Sequence, residues 1–440
     1  MKIHLIGIGG IGVSALAQYY LSKGHQVSGS DLVASEITDF LKQPGNGKAG
    51  MKITIGNFAK NIERDYDLVV HSPAIKPNNP EYKAAKKLGI KTQSYPEALG
   101  DLTKEYYTIA VAGAHGKSTT TAMVGLVLAE AGLDPTVIVG TKVKEFGGSN
   151  FREGKSKLLV IEACEYDSSF LHYSPKITVV TNVDKEHLDF FKTFNKVKTA
   201  FAKFIKRLPA DGFLVFNDDD NQLPRIENPV FKSLGYSLKQ KDAPKIKKLL
   251  VVPGEHNVSN ALAVLQVARI LEIPDNITFK ALSQFTGTWR RFEERDLKIK
   301  NCLPGQGKLK IISDYAHHPT EISATLTAAR EKYPKNKIWC IFQPHQHQRT
   351  YYLFNDFVKI FRKVPIDQII ITDIYDVAGR ETKATSKEVS SEKLVKKINK
   401  KNVSYLPMRK LEEYIKLNIK NGVVLIIMGA GDIYRLADRF

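Results

Sequence analysis

Short apolar segments with the character of buried strands alternate with helical segments along this 440-residue chain. The first strand-like segment is KIHLIGI. It is followed by the helical stretch GVSALAQYYLSKG, which closes at Gly24, and then by QVSGSD. Strands that alternate with helices form parallel sheets, because each helix carries the chain back across a face of the sheet. The alternation therefore predicts an α/β fold built on parallel sheets.

Two interruptions divide the alternation into three parts. One lies near GDLTKEY, at residues 100–106, and the other near RRFEERDLKIKNCLPGQGK, at residues 290–308. The apolar strands LLVIEACE, ITVVTNVD and GFLVFND lie between them, and KIISDYA, KIWCIFQP, QIIITDIY and GVVLIIMGAG follow the second. We predict three α/β domains, at residues 1–103, 104–294 and 295–440.

The composition and charge of the chain limit the kinds of partner that we expect it to bind. The net charge is +19, but the lysines are spread over the whole length and lack the aromatic-interleaved basic stripe that stacks bases. The first residues lack the features of a secretory signal, and no apolar run reaches the ~18 residues that span a bilayer. Cys164, Cys302 and Cys340 form neither a paired framework nor a metal-spaced cluster. We expect a cytoplasmic protein with reduced thiols and neither nucleic acid nor a membrane as partner.

The stretch VAGAHGKSTTTAM, residues 111–123, predicts a phosphate-binding loop between a strand and a helix. Gly113 and Gly116 allow a tight turn whose N–H groups approach phosphate oxygens, and the new helix adds its positive end. Lys117 places a cation on the phosphates, and the hydroxyl of Ser118 or Thr119 can bind Mg²⁺. The pattern is shorter than the usual G-x-x-x-x-G-K-[ST].

A phosphate loop that hydrolyses or transfers phosphate also needs acidic groups for its metal ion. Glu162 ends the apolar strand LLVIE, and His187 lies just beyond the end of the next strand, ITVV. Both ends belong to the same sheet edge, so these two side chains are candidate metal ligands. Four neighbouring carboxylates could also be solvated turn and cap residues: Glu165, Asp167, Asp184 and Asp189. We prefer that interpretation for Asp189.

A second nucleotide-binding pattern lies in the first strand–helix turn. Gly7, Gly9 and Gly12 have the G-x-G-x-x-G spacing, and Asp31 ends the next strand about twenty residues later. NAD and another diphosphate nucleotide such as a UDP-sugar fit this pattern equally well. An ATP-driven enzyme that joins a nucleotide-carried group to a second substrate accounts for both loops. A nicotinamide oxidoreductase leaves the lysine loop unexplained, and a non-catalytic nucleotide switch or nucleic-acid-binding protein would need neither Glu162 nor His187.

Five stretches together resemble the Mur ligase family of cell-wall synthesis: GIGGIGVSALA with SGSD, GAHGKSTTTAM, IEACEYDSSFL with TNVDKEHLD, PGEHNVSNALA with FTGTWRRFE, and DYAHHPTE with FQPHQHQRT. The resemblance implies a Rossmann-like UDP-sugar domain, a central P-loop ATPase domain and a Rossmann-like C-terminal domain that closes over the nucleotide. It is strongest to the branch that uses ATP and Mg²⁺, with two ions expected, to join L-alanine to the lactyl carboxylate of UDP-N-acetylmuramate through an acyl phosphate. The branch that recycles murein tripeptide stays an alternative. We expect a monomer or a weak homodimer.

The resemblance also implies roles for individual residues. The expected catalytic residues are Lys117, Glu162 and His187, and the expected metal ligands are Ser118, Glu162 and His187. The expected ATP-binding residues are Gly113, Ala114, His115, Gly116, Lys117, Ser118, Thr119, His256, Asn257, Asn260, Arg291 and Asp314. The expected UDP-sugar residues are Gly9, Gly10, Ile11, Gly12, Asp31, His71, Ser72, Ala74 and Ile75. The expected amino-acid site holds His345 and Arg349.

The sequence departs from the family pattern at three positions. Ala114 stands where the family usually has Thr, Glu186 where it has Asp, and Ala316 where it has Gly.

Several polar residues of the motifs also have a purely structural interpretation. His317 and His318 could be a helix-entry pair before Pro319, and Asn257 could cap its helix. Lys203 is spaced like a lysine that is carbamylated in some relatives, but we interpret it as a solvated helical lysine.

Overall fold

The computed structural model describes residues 1–43, 50–298, 308–376 and 388–439. Its strands form three sheets, and the chain divides into two compact units. The first unit comprises Met1–Asp184, Lys198–Leu249 and Ser259–Phe285, and the second comprises Lys185–Val197, Leu250–Val258 and Thr286–Phe440. The first two sheets belong to the first unit, and the third sheet belongs to the second.

The first sheet has five strands in the order β3-β2-β1-β4-β5, and every pair is parallel. Its strands are β1 (Lys2–Ile6), β2 (Gln26–Asp31), β3 (Lys52–Ile55), β4 (Leu68–His71) and β5 (Lys91–Ser94). Its helices are α1 (Ile11–Ser22), α2 (Glu36–Lys42), α3 (Pro80–Lys87) and α4 (Tyr95–Glu105). The strand order reverses at β1 and β4, where open α/β sheets bind ligands at the carboxyl ends of their strands. The predicted glycine loop follows β1, and the HSPAI stretch begins with the last residue of β4.

The second sheet has seven strands in the order β12-β11-β10-β6-β9-β7-β8. They are β6 (Tyr107–Ala112), β7 (Thr136–Val143), β8 (Ser149–Arg152), β9 (Leu158–Glu162), β10 (Ile177–Val180), β11 (Phe213–Asn217) and β12 (Lys232–Tyr236). The helices along this part of the chain are α5 (Lys117–Glu130), α6 (Leu188–Phe191), α7 (Phe194–Ile205), α8 (Ala243–Leu249), α9 (Glu255–Ile270) and α10 (Asp275–Gln284). The phosphate loop connects the central strand β6 to α5.

The third sheet has the order β13-β14-β18-β15-β16-β17. Its strands are β13 (Glu293–Lys298), β14 (Lys308–Asp314), β15 (Ile338–Phe342), β16 (Gln368–Ile371), β17 (Val403–Tyr405) and β18 (Val424–Met428). Its helices are α11 (Pro319–Lys332), α12 (His347–Tyr352), α13 (Phe354–Lys363), α14 (Ser391–Ile398) and α15 (Met408–Asn418). All five residues of β18 are buried, because this strand lies between β14 and β15 with apolar clusters on both faces.

The prediction of parallel α/β sheets is confirmed, with two local exceptions. Strand β8 pairs antiparallel with β7, and β13 pairs antiparallel with β14. The predicted boundary at 103 falls inside α4 and that at 294 inside β13, so the three-domain boundaries stay a prediction. Cys164 and Cys340 are free thiols, while Cys302 lies outside the described residues. Within the described residues, none of the helices combines the length and apolar character that crossing a bilayer requires.

A buried amide links the first sheet to the second within the first unit. Asn150, on β8, donates from Nδ2 to the hydroxyl of Ser14 at 2.9 Å and to the carbonyl of Ile11, both on α1. Its Oδ1 accepts a hydrogen bond from the Gln18 side-chain amide at 2.8 Å, and Oε1 of Gln18 accepts one from the Ser149 hydroxyl at 2.9 Å. Because Asn150 is 5% exposed, these hydrogen bonds compete little with water.

We expect Asn150→Ala to lower the thermal unfolding midpoint by several degrees. The substitution removes the partners of polar groups on α1, and each buried group left unsatisfied costs about 1–3 kcal/mol. Differential scanning calorimetry measures the change, with Lys83→Ala, at an exposed position of α3, as the matched control. Equal midpoints for the two variants would show that this contact does not stabilise the unit.

Candidate active site

The phosphate loop, residues 113–116, has a shape that only glycine permits at its two ends. Gly113 has φ +136°, and a Cβ there would lie 1.9 Å from the hydroxyl oxygen of Thr181. Gly116 has φ +83°, and a Cβ there would lie 2.5 Å from Oδ1 of Asn260. These distances are far below van der Waals contact, so the loop keeps its path because both positions lack a side chain.

Two residues that follow β10 hold the loop from the neighbouring strand. Asn182 accepts hydrogen bonds from the N–H groups of Ala114 and His115, each at 2.9 Å, through its backbone and side-chain oxygens respectively. The Thr181 hydroxyl donates to the His115 carbonyl at 2.6 Å. Sequence reasoning gave neither Thr181 nor Asn182 a role. Their position directly after a buried strand at the same sheet edge as the loop is the signal that could have found them.

Lys117 lies folded back over the loop. Its Nζ donates to the carbonyls of Gly113 at 2.5 Å and Ala114 at 2.9 Å, and it forms an ion pair with Glu165 at 3.0 Å. Burial alone would lower the pKa of Lys117, but the nearby carboxylates, Glu165 foremost, hold this pKa above its ordinary value. The lysine is therefore a permanent cation beside the loop.

The structure rules out a solvated turn position for Glu165. Glu165 is fully buried, because the chain after β9 turns inward through the left-handed residues Asp167 and Ser168. The carboxylate of Asp184 lies 3.0 Å from Nε2 of His115. Asp167 is exposed and Asp189 lies in the first turn of α6, as the sequence suggests.

Side chains with oxygen atoms that could bind a metal ion lie at the same edge of the second sheet. Glu162 ends β9, which pairs directly with β6, and its carboxylate accepts a hydrogen bond from Gly140 at 2.9 Å. Ser118 and Thr119 begin α5 and are each 8% exposed. Asn260, from α9, lies against Gly116. The structure therefore brings Glu162, Ser118 and the loop to one sheet edge, as predicted from the sequence.

The glycine loop of the first sheet, residues 7–10, is held by the end of β2. The Ser30 carbonyl accepts hydrogen bonds from the N–H groups of Gly7 at 2.8 Å and Ile8 at 3.0 Å. The Asp31 carboxylate accepts one from Gly9 at 2.8 Å, so its observed partner is the loop itself. Gly10 then serves as the N-cap of α1, whose first residues are Ile11 and Gly12.

The HSPAI stretch forms a turn beside this loop. The N–H of Ser72 donates to the Ile6 carbonyl at 3.0 Å, and the Ser72 hydroxyl accepts a hydrogen bond from Ala74 at 3.3 Å. The Ile75 N–H closes the turn on the Ser72 carbonyl at 3.0 Å, and the His71 ring packs edge-on against Tyr82. The predicted UDP-sugar residues therefore lie together at the carboxyl edge of the first sheet.

In the second unit, an arginine links a glutamate and a histidine. Arg349, on α12, contacts the Glu186 carboxylate through Nη2 at 3.1 Å and Nδ1 of His345 through Nη1 at 3.0 Å. The His345 ring stacks on Tyr375 at a centroid distance of 5.6 Å. Burial opposes ionisation of Glu186, but the Arg349 guanidinium keeps its pKa well below the ordinary value. The departure to Glu at 186 thus supplies a carboxylate that fixes the predicted amino-acid arginine.

His187 begins α6 with a left-handed backbone, φ 55°, next to Glu186. It lines a small cavity together with Leu188, Arg349 and Tyr352. Sequence reasoning missed the apolar lining of this cavity, because it comes from two helices that are far apart in the sequence.

Asp314 ends β14 and is almost fully buried. Its two carboxylate oxygens accept hydrogen bonds from the N–H groups of Phe292 at 2.7 Å and Ala316 at 2.8 Å. Burial raises the pKa of Asp314 above its ordinary value. The carboxylate thus shapes the turn that contains Ala316. Arg291 directly precedes Phe292 and pairs with Glu321 at 3.3 Å.

The helix-entry interpretation is confirmed for His318 and wrong for Asn257. His318 is the N-cap of α11 and accepts a hydrogen bond from Thr320 at 3.3 Å. Asn257 lies inside the first turn of α9, where its Nδ2 donates to the Pro253 carbonyl at 2.7 Å, while His256 beside it is exposed. Lys203 lies exposed on α7, as expected for a solvated lysine.

Models of the Mur ligase family match the chain in three successive parts. The Mur ligase catalytic domain matches residues 2–107, the Mur ligase middle domain residues 111–249, and the Mur ligase glutamate ligase domain residues 291–431. These matches confirm the predicted three-domain Mur ligase architecture.

Individual relatives match over the full length. A UDP-N-acetylmuramate–L-alanine ligase of Acetivibrio thermocellus is 39% identical, and the alignment covers 100% of this chain and 95% of the relative. The crystal structure of UDP-N-acetylmuramate–alanine ligase from Thermotoga maritima has a TM-score of 0.79 at 28% identity and covers 100% and 98% of the two chains. A murein peptide ligase of Psychrobacter arcticus, at 23% identity, a TM-score of 0.71 and the same coverage, shares the fold. The chain belongs to the Mur ligase family.

Proposed function

We propose that this protein uses ATP to join L-alanine to the lactyl carboxylate of UDP-N-acetylmuramate, in the synthesis of peptidoglycan precursors in the cytoplasm. The observation that carries the proposal is the full-length similarity to UDP-N-acetylmuramate–L-alanine ligases, 39% identical to a chain of nearly equal length. The two loops at helix starts supply one anion site for each nucleotide substrate. In this proposal residues 1–103 bind the UDP-sugar, 104–294 bind ATP and 295–440 complete the ligase, acting as a monomer or weak homodimer.

A carboxylate and an amine do not condense unaided in water, so the carboxylate must first be activated. The lactyl carboxylate attacks the γ-phosphate of ATP, ADP leaves, and an acyl phosphate forms. The alanine amine then attacks the acyl carbon, and phosphate leaves as the amide forms. The Lys117 ammonium and the N-terminus of α5 offset the negative charge of the phosphates during the transfer.

Mg²⁺ fits the donor set at the edge of the second sheet. The Ser118 hydroxyl and the Glu162 carboxylate are oxygen ligands, which Mg²⁺ prefers, and the Gly140 N–H uses one of about four lone-pair sites on that carboxylate. We assign the first ion to these two residues and a second ion to His187. Bound Mg²⁺ would supply charge neutralisation on the phosphate oxygens.

The cluster around Arg349 is suited to an α-amino acid. A guanidinium binds a carboxylate through two parallel hydrogen bonds, and Glu186 and His345 fix this guanidinium in one orientation. Leu188 and Tyr352 line the small cavity beside it. We infer that Arg349 binds the alanine carboxylate and that His345 helps to orient it.

An ADP-release assay tests the proposed function. Purified protein with ATP, Mg²⁺ and UDP-N-acetylmuramate should release ADP when L-alanine is added, and faster than with glycine, serine or murein tripeptide. Without alanine, hydroxylamine should trap the acyl phosphate as a hydroxamate. A preference for the tripeptide would replace the proposal with the recycling ligase, and a change in NAD(H) absorbance without ADP release would replace it with an oxidoreductase.

Lys117→Ala should lower turnover on the order of 10²–10³-fold, the usual cost of removing one group that stabilises transition-state charge. The matched control is Lys206→Ala, at an exposed position directly after α7, which should leave turnover unchanged. Initial rates of ADP release measure both. Unchanged turnover of Lys117→Ala would contradict the assignment of the phosphate loop.

Arg349→Lys should raise the KM for alanine about tenfold and leave the KM for UDP-N-acetylmuramate unchanged. Lysine keeps the positive charge but loses the planar fork that binds a carboxylate at two points. Steady-state kinetics with each substrate varied in turn measure the two constants. Equal rises in both would argue against an amino-acid site at Arg349.

The pKa of His317 predicts that this side chain stays neutral at physiological pH. Burial, together with the Arg349 guanidinium, lowers the pKa of His317 to about 4, although Glu321 and Glu186 oppose the shift. Between about pH 6.5 and 4 the unfolded chain binds a proton that the folded chain does not. Stability therefore falls as the pH falls through this window, by on the order of 3 kcal/mol in all.

NMR titration of the histidine rings measures this shift. The resonance that disappears in His317→Gln should titrate with a midpoint near pH 4 in the wild-type protein. A midpoint near 6.5 would mean that the ring is solvated rather than buried against Arg349.

A further inference from the structure

A buried carboxylate lies behind the glycine loop of the first sheet and has no part in the chemistry proposed above. Glu81 is the second residue of α3 and is fully buried. It accepts hydrogen bonds from the Ser30 hydroxyl at 2.5 Å, from the Asn61 amide, and from the Phe58 N–H at 3.3 Å. His4, from β1, lies 3.8 Å from the same carboxylate.

Glu81 is held in its charged form. Burial opposes ionisation, but His4, Ser30 and Asn61 together bring the pKa of Glu81 below its ordinary value. Its position in the first turn of α3 also favours a negative charge. A neutral side chain would fill this space without the cost of burying a charge, so the carboxylate matters here for the donors it gathers.

The first of these donors, Ser30, also contacts the glycine loop. The hydroxyl of Ser30 donates to Glu81, while the carbonyl of Ser30 accepts the N–H groups of Gly7 and Ile8. The position of Ser30 therefore sets the path of the loop between β1 and α1.

The second donor, Asn61, is connected to the same loop through Gly56 and Asp31. Asn61 donates to Glu81 and also to the Gly56 carbonyl at 3.1 Å. The Gly56 N–H donates to the Asp31 carbonyl at 2.7 Å, and the Asp31 carboxylate accepts the N–H of Gly9 at 2.8 Å. The end of β2 is thus tied to Glu81 at both Ser30 and Asp31.

We propose that Glu81 is a positioning residue for the sugar-nucleotide site, because it holds residues 7–10 in the shape that receives the UDP pyrophosphate at the start of α1. This proposal rests on the proposed function, which puts UDP-N-acetylmuramate at that loop. Glu81 does not touch the nucleotide. It acts through Ser30 and Asp31, whose carbonyl and carboxylate take the loop N–H groups and leave the helix N-terminus for the anion.

Calorimetric titration with UDP-N-acetylmuramate in the absence of ATP and alanine tests the proposal. Glu81→Gln replaces one acceptor oxygen with an NH₂ group that faces donors. It should weaken binding roughly tenfold, because the loop would then hold its binding shape for only about a tenth of the time. The matched control is Glu63→Gln, a partly exposed glutamate of the same domain that pairs with Lys2 and should leave binding unchanged.

Two further measurements separate positioning from general damage to the fold. The affinity for ADP, which binds at the other loop in the proposed function, should be the same in Glu81→Gln and the wild type. Ser30→Ala should weaken UDP-N-acetylmuramate binding too, and adding it to Glu81→Gln should weaken binding by less than the product of the two effects. Ser30→Ala also provides the test if Glu81→Gln fails to fold.

The outcomes distinguish this proposal from the proposed function. Wild-type affinity for UDP-N-acetylmuramate in both Glu81→Gln and Ser30→Ala would overturn the role of Glu81 and leave the proposed function intact. An equal loss of ADP affinity would also overturn it, since Glu81 would then support the whole unit. A wild-type protein that does not bind UDP-N-acetylmuramate would overturn the proposed function, and this inference with it.

Discussion

The close approach of Thr181 to Gly113 is the constraint on which the phosphate loop depends. The hydroxyl of Thr181 occupies the space that a side chain at 113 would need, and Asn182 takes the next two N–H groups of the loop. Strand β10 therefore fixes the loop that follows β6. With the loop fixed, Lys117 and the start of α5 have defined positions, and Glu162 on the adjacent strand faces the same edge.

The two nucleotide loops follow one physical plan. In each, polar groups at the end of the neighbouring strand bind the loop N–H groups: Asn182 in the second sheet, and Ser30 with Asp31 in the first. The loop is rigid because its own donors are satisfied by the protein. The N–H groups of the helix start then remain for a phosphate, so in the proposed function α1 and α5 would each bind an anion through their N-termini.

Much of this fold could be predicted from the sequence, because its central strands are continuous apolar runs. Strands β1, β6, β10 and β18 are of this kind. Edge strands such as β12 (KSLGY) and β13 (EERDLK) were not predicted, because one side of an edge strand can carry polar residues and their pattern resembles a loop.

For the site as well, the sequence could predict some side chains and not others. The phosphate loop was predictable because Gly113, Gly116 and Lys117 are close in sequence. The burial of Glu165 could not be predicted in this way, since it depends on how the chain folds back after β9. The Glu186–Arg349 pair joins residues 163 positions apart, which no local pattern encodes.

The central position of β18 in the third sheet has a consequence for how that sheet is made. Among the described strands of this sheet, β18 is synthesised last, yet it pairs with both β14 and β15. Until it emerges from the ribosome, β14 and β15 have a gap between them and leave unpaired edges and apolar side chains in contact with solvent. Until then the unpaired edges of this sheet favour aggregation, whereas each new strand of the first sheet pairs with one that has already been synthesised.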